Sequence, residues 1–110
     1  MPDYVLARSV EDDLEQIADY TVRNWGADQA LRYCTALDKH FAAVAANEVR
    51  AKPVFGNWPE LVVSRCQHHF VFSLKRTGSP IAILAVFHES MDLPARLRER
   101  LDAEGQMLDD

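Results

Sequence analysis

Only Gly26 and Ala27 stand between two long amphipathic segments, and that short link constrains the fold more than any other feature of the chain. In the first segment Leu14, Ile17, Ala18, Thr21 and Trp25 recur at helical spacing. In the second, Ala30, Leu31, Cys34, Leu37, Phe41, Val44 and Ala45 do the same. The spacing predicts helices over about 10–25 and 28–46. Helices joined so tightly must fold back as an antiparallel hairpin, and their apolar stripes then need a flat surface to cover. Ser9 is the expected cap of the first helix, with Asp12 completing a weak capping box. Glu11, Asp12, Asp13 and Glu15 put negative charge at the positive end of its dipole, and Gly26 ends it.

The flat surface comes from strands. "DYVLARS" predicts a short one over 3–8, and "LVVSRC", "HHFVFSLK" and "IAILAVFH" predict three more. "RTGSP" is a turn in which Gly78 can take positive φ. Residues 47–60, with Pro53, Gly56 and Pro59, read as a loop pinned by Phe55 and Trp58. Strict alternation gives the last strand one face of Ile81, Ile83, Ala85 and Phe87 and another of Ala82, Leu84, Val86 and His88. A strand apolar on both faces is central and covered on both sides. The helical hairpin covers one side. The other falls to "DLPARLRERLDAEG", where Asp92 can cap a short helix and Leu93, Leu97 and Leu101 form a stripe. That cover is thin, so a partly exposed apolar groove is expected on the sheet. The fold class is therefore α+β, in the order β-α-α-β-β-β-α: a helical hairpin packed on a mainly antiparallel four-stranded sheet with a short C-terminal helix. One domain is expected over 1–103, with a flexible tail at 104–110.

Net charge is −5, which argues against a general phosphate binder. The charge is unevenly spread. Residues 1–47 hold four Lys/Arg against eight Asp/Glu, whereas 61–100 hold six against three. The basic back half suits an acidic partner, or is simply a mixed surface. Cys34 and Cys66 form no CxxC pattern and read as reduced core thiols. No apolar run approaches the ~18 residues of a membrane span, and the start lacks a secretion signal, so a cytoplasmic protein is expected.

The last predicted strand stops abruptly at "HESMD". As a catalytic cluster it is poor, because Glu89 follows His88 directly and in a strand points to the other face. No serine sits in a GxSxG elbow. The segment reads better as a strand end, a turn and the Asp92 cap. His68 and His69 are neighbours that face opposite ways and cannot share an ion, and His40 reads as a surface residue beside Phe41. No catalytic residue, metal ligand or cofactor is assigned.

The order of elements, with "LEQIADYTVRNWGADQALRY", "HFVF" and "AVFHESMD", resembles the ParE branch of the RelE/ParE toxin superfamily over about residues 4–101. Trp25-Gly26 at the helix corner and His88-Glu89 before Met91-Asp92 carry much of that resemblance. It implies a toxin of a type II toxin–antitoxin module, held inactive by a ParD-like ribbon-helix-helix antitoxin whose C-terminal segment folds onto the toxin's sheet and helices. It also implies a target, DNA gyrase, poisoned by binding and not by bond-making. Arg96, Arg98, Arg100 and His88 are the expected target-binding residues. Leu84, Val86, Phe70, Phe72 and Arg65 are the expected antitoxin-binding set. RelE-type relatives instead cleave mRNA on the ribosome, and that remains the enzyme alternative. Gln67, Ser73 and Val62-Val63 depart from the ParE pattern and remove polar and basic groups from the sheet. A member that binds antitoxin without toxicity is thus a third reading.

Overall fold

The computed structural model describes residues 4–109, with side chains through 103. Its elements are β1 (Tyr4–Leu6), α1 (Arg8–Trp25), α2 (Ala27–Ala45), β2 (Lys52–Phe55), β3 (Trp58–Cys66), β4 (His69–Leu74), β5 (Ile81–His88) and α3 (Leu93–Asp109). The α+β layout and the helical hairpin are as expected. The sheet has five strands, in the order β1-β5-β4-β3-β2. The additional strand, β2, lies in the segment expected as a loop, and β3 begins there too. Gly56 and Asn57 close a hairpin between Phe55 and Trp58. Pro53 is tolerated because β2 is an edge strand whose proline need not donate to a neighbour. β1 pairs with β5 in parallel, and the other three pairings are antiparallel.

Gly26 closes α1 at φ 92°, its N–H donating to Val22 O, and its own carbonyl accepts from Ala30 N–H to begin α2. This positive φ is the conformation that makes glycine the residue for the corner. The start of α1 differs from expectation. The helix begins at Arg8 with Ala7 in the cap position, so Ser9 lies inside the first turn. Asp92 caps α3 as expected, its Oδ1 accepting from Ala95 N–H at 3.3 Å. α3 continues as helix through 109, past the boundary drawn at 103; Asp110 lies outside the described residues.

The hairpin covers one sheet face with Val10, Ile17, Tyr33, Leu37 and Phe41, packed on Val71, Ile83 and Val86. Phe41 is fully buried, and Tyr4 meets its ring edge-on at 5.8 Å. Each such large apolar side chain contributes about 2 kcal/mol. α3 covers the opposite face: Leu97 packs with Phe72, Ala85 and Phe87, and Leu101 with Leu61, Ala82 and Leu84. Cover is incomplete, as expected, and a cavity of about 350 Å³ remains between α3 and Val54, Phe55 and Phe72. Two helix positions depart from their stripes. Leu31 is 70 % exposed and Trp25 is 71 % exposed, while the buried stripe of α2 is Ala30, Tyr33, Leu37, Phe41 and Val44.

The face assignment of β5 changes at its centre. Ser73 pairs with Ile83 and Phe72 with Ala85, so Leu84 is an extra residue, a β-bulge. The bulge breaks the alternation. Ile83 and Val86 face the hairpin, whereas Ala82, Leu84, Ala85 and Phe87 face α3. Leu84 and Val86, which strict alternation placed side by side, lie on opposite faces.

Ser73 on β4 is fully buried, and its Oγ has no hydrogen-bond partner. An unsatisfied buried hydroxyl costs about 1–3 kcal/mol. Ser73→Ala is therefore expected to raise stability by about 1 kcal/mol in urea denaturation. A loss of stability in that variant would mean the hydroxyl has a partner in solution.

Candidate functional site: a cleft between the helical hairpin and the open end of β5

β1 pairs with β5 only at Ile81–Ile83, so the second half of β5 has a strand, β4, on one side only. Side chains fill that edge at the bulge. Asp13 on α1 accepts from Val86 N–H at 3.0 Å, and Arg100 on α3 donates to Leu84 O at 2.9 Å. Asp13 and Arg100 then bind each other through two contacts of 2.8 Å. The Arg100 guanidinium also lies 5.0 Å from the centre of the Phe87 ring. The pair thus reaches around the sheet edge and ties α1, on one face, to α3, on the other.

Beyond this clamp the edge opens into two adjoining cavities of about 730 and 330 Å³, which share Ile17, Tyr20 and His88. The larger is lined on the helix side by Thr21, Trp25, Arg32 and Tyr33, and on the sheet side by Gln67 and His69. The smaller extends over Val86, Ser90 and Met91. Tyr20 is 62 % exposed at the mouth, and with Trp25 it sets two large aromatic rings in water.

The floor is a hydrogen-bonded cluster. Tyr33 Oη accepts from the His68 backbone N–H at 3.3 Å and lies 2.5 Å from His69 Nδ1. Burial above all, then the neighbouring His88 and His68, pushes the His69 pKa from 6.5 down to about 4. A neutral ring there accepts the Tyr33 proton donor. Burial likewise raises the Tyr33 pKa. Outside, Glu89 binds His68 Nδ1 at 3.0 Å and also binds Arg65. Its carboxyl is held below the usual range, first by the His68 hydrogen bond. His88 turns back on its own chain: its Nδ1 lies 2.7 Å from Ser90 Oγ and accepts from Ser90 N–H. Met91 N–H donates to His88 O, closing the turn before Asp92. The "HESMD" segment is thus a turn and a helix cap, and His88 also forms part of the cleft wall.

The His69 shift has a consequence for stability. As pH falls, the unfolded chain takes up a proton at His69 near 6.5, the folded chain only near 4. Between those values the unfolded state binds more protons, so stability falls with pH. The expected loss, complete below about pH 4, is about 3 kcal/mol. Urea denaturation across that window, compared with His69→Gln, checks it: the variant should lose most of the slope. An unchanged slope would place the titration elsewhere.

The expected site residues fall into distinct places. His88 and Val86 line the cleft. Arg96 and Arg98 are exposed on α3, Arg96 near Glu99 and Arg98 at the rim of the cavity beneath the helix. Arg100 faces inward on Asp13, because the bulge offers it a carbonyl as well as a carboxylate. Arg65 and half-buried Phe70 sit together, the guanidinium 5.2 Å from the ring centre. Leu84 and Phe72 are buried beneath α3, and Phe72 borders the cavity that remains there. From the sequence, Ile17 and Trp25 are helix-stripe positions, and nothing in the spacing singles out Tyr20 or Tyr33. Burial raises the pKa of both free thiols, Cys34 and Cys66. Among the described residues no group of three His, Cys, Asp or Glu side chains could hold a metal ion, and no helix is long and apolar enough to cross a membrane.

A helical hairpin packed on a sheet with one open edge is the fold of toxins from type II toxin–antitoxin systems. The sequence profile of the "ParE toxin of type II toxin-antitoxin system, parDE" matches residues 4–93, and the chain belongs to that family. It is 44 % identical over 101 residues to the Toxin ParE of Escherichia coli, covering 92 % of this chain and 98 % of that one. It is 31 % identical over 102 residues to Toxin ParE1 of Caulobacter vibrioides, covering 88 % and 99 %. A solved structure titled "Chromosomal ParDE TA system from P. aeruginosa" shares the fold at TM-score 0.64 and 19 % identity, over 77 % of this chain and 92 % of that one. The family match supports a toxin and not an enzyme.

Proposed function

We propose that this toxin acts in the cytoplasm by binding DNA gyrase, and that a ParD-like ribbon-helix-helix antitoxin neutralises it by occupying the cleft between α1, α2 and the open end of β5. The observation that carries the reading is the pair of adjoining cavities with Tyr20 and Trp25 at their mouth. Exposed aromatic rings around a preformed cavity suit a protein partner. Val86 and His88 contribute to that seat, whereas Arg65 and Phe70 line a separate cavity along β3. The exposed Arg96 and Arg98 on α3 are assigned to the target. The mRNA-cleaving alternative finds little support. Arg65 is already bound to Glu89, and Ser73 is fully buried where a sheet base would stand.

A gyrase assay with purified components tests this. The chain should inhibit supercoiling, and added ParD-like antitoxin should restore it. Arg96→Glu with Arg98→Glu should abolish inhibition while antitoxin binding persists. Untouched gyrase together with cleaved mRNA in a translation extract would overturn the proposal in favour of an interferase.

A further inference from the structure

On the other side of the sheet, β3 outruns its neighbour. β2 begins at Lys52, which pairs with Val63. β3 continues through Ser64, Arg65 and Cys66, which pair with β4 residues Val71, Phe70 and His69. These three residues therefore have a strand on one side only. Such an edge offers main-chain N–H and C=O groups to any extended chain that approaches it.

A cavity of about 440 Å³ lies along this edge, and no carboxylate lines it. Three of its lining residues are cationic: Arg50, Lys52 and Arg65. Arg65 is held in place by Glu89 and by stacking on Phe70, so its position is fixed and its charge partly answered. Arg50, just before β2, and Lys52, its first residue, are both exposed. On the helix side the wall is His40, expected at the surface but found half-buried, its Nε2 2.8 Å from Ser64 Oγ. Burial lowers the His40 pKa, so this wall is a neutral polar pair. The strand edge, the apolar Val63–Phe70 surface and two exposed cations thus converge on one slot.

We propose that the open β3 edge is a docking site for an extended acidic peptide segment of a protein partner. The segment adds a strand beside Ser64–Cys66 and sets carboxylates against Arg50 and Lys52. Cations on a strand edge commonly discourage pairing with other strands, and an acidic strand is the one they admit. A nucleic acid fits less well. Its affinity grows with the number of phosphates neutralised, and a few cations on a chain of net charge −5 form no extended track. The site stands apart from the cleft assigned to the antitoxin and does not depend on the gyrase reading.

The test titrates the full chain with a labelled peptide of alternating Glu and Val, its Lys–Val counterpart and a single-stranded oligonucleotide, followed by fluorescence anisotropy. Saturable binding of the Glu–Val peptide alone is expected. Arg50→Glu with Lys52→Glu, both at exposed positions, should weaken it by roughly tenfold or more while circular dichroism stays unchanged. Peptide binding should also slow amide hydrogen exchange at Arg65. Failure of the Glu–Val peptide to bind, equal binding of the Lys–Val peptide, binding of the oligonucleotide instead, or indifference to the double charge reversal would each overturn the proposal.

Discussion

Asp13→Ala is expected to destabilise the protein by about 3–5 kcal/mol, the range for removing one partner of a buried ion pair. Both side chains are largely out of water, at 11 % exposure for Asp13 and 16 % for Arg100. The loss has two sources. The Arg100 guanidinium loses both contacts with the Asp13 carboxylate in a largely buried place, and the Val86 N–H at the bulge loses its acceptor. Against a total stability of roughly 5–15 kcal/mol for a small domain, that is a large fraction. Arg100→Met in the same background should recover part of the loss, because a flexible apolar side chain can still lie over Phe87 and no unpaired charge remains. Equilibrium urea denaturation of the wild type, the single and the double variant decides it. A single-variant loss below about 1 kcal/mol, the usual size for surface pairs, would show that water reaches the clamp.

Trp25→Ala and Tyr20→Ala are expected to weaken antitoxin binding by at least about 2 kcal/mol each, roughly thirtyfold in Kd. Stability should barely change, because both rings stand mainly in solvent in the unbound chain. That contrast gives the prediction its force: an effect on binding without one on folding cannot come from a core residue. Isothermal titration with a ParD-like antitoxin, paired with thermal melts, reads both quantities. Unchanged affinity in both variants would move the antitoxin away from the cleft.

Much of the architecture was legible in the sequence, for local reasons. Gly26 dictated the helical corner, Asp92 the start of α3, and the apolar run of β5 a strand covered on both faces. Three features were not legible. β2 was hidden because Pro53 and Pro59 signal breaks, and only its edge position makes a proline harmless there. The bulge at Leu84 leaves no mark in a run of uniformly apolar residues, yet it shifts every later side chain to the other face. Arg100 looked like one of three solvated arginines. Its inward course depends on a carbonyl freed by that bulge and a carboxylate far away in the chain. Of the site, His88 could be read because polar residues ending an apolar strand are conspicuous. Trp25 could not be placed, because helical spacing gives a direction around the axis but not whether anything lies opposite the final turn.

The parallel pairing of β1 with β5 sets an order of events during synthesis. β1 leaves the ribosome long before its partner Ile81–Ile83, and Asp13 waits for a residue 87 positions later. The helical hairpin can form early from local contacts, but its apolar stripe stays uncovered until the β3–β4–β5 meander has emerged. Long-range pairings of this kind slow folding, and incomplete chains expose apolar surface while they wait. The cleft between α1 and the end of β5 therefore cannot exist on a nascent chain. The cleft is lined by residues up to Met91, so it takes shape only once β5 has emerged, and premature termination before Arg100, which removes the clamp to Asp13, should yield a chain that aggregates or is degraded.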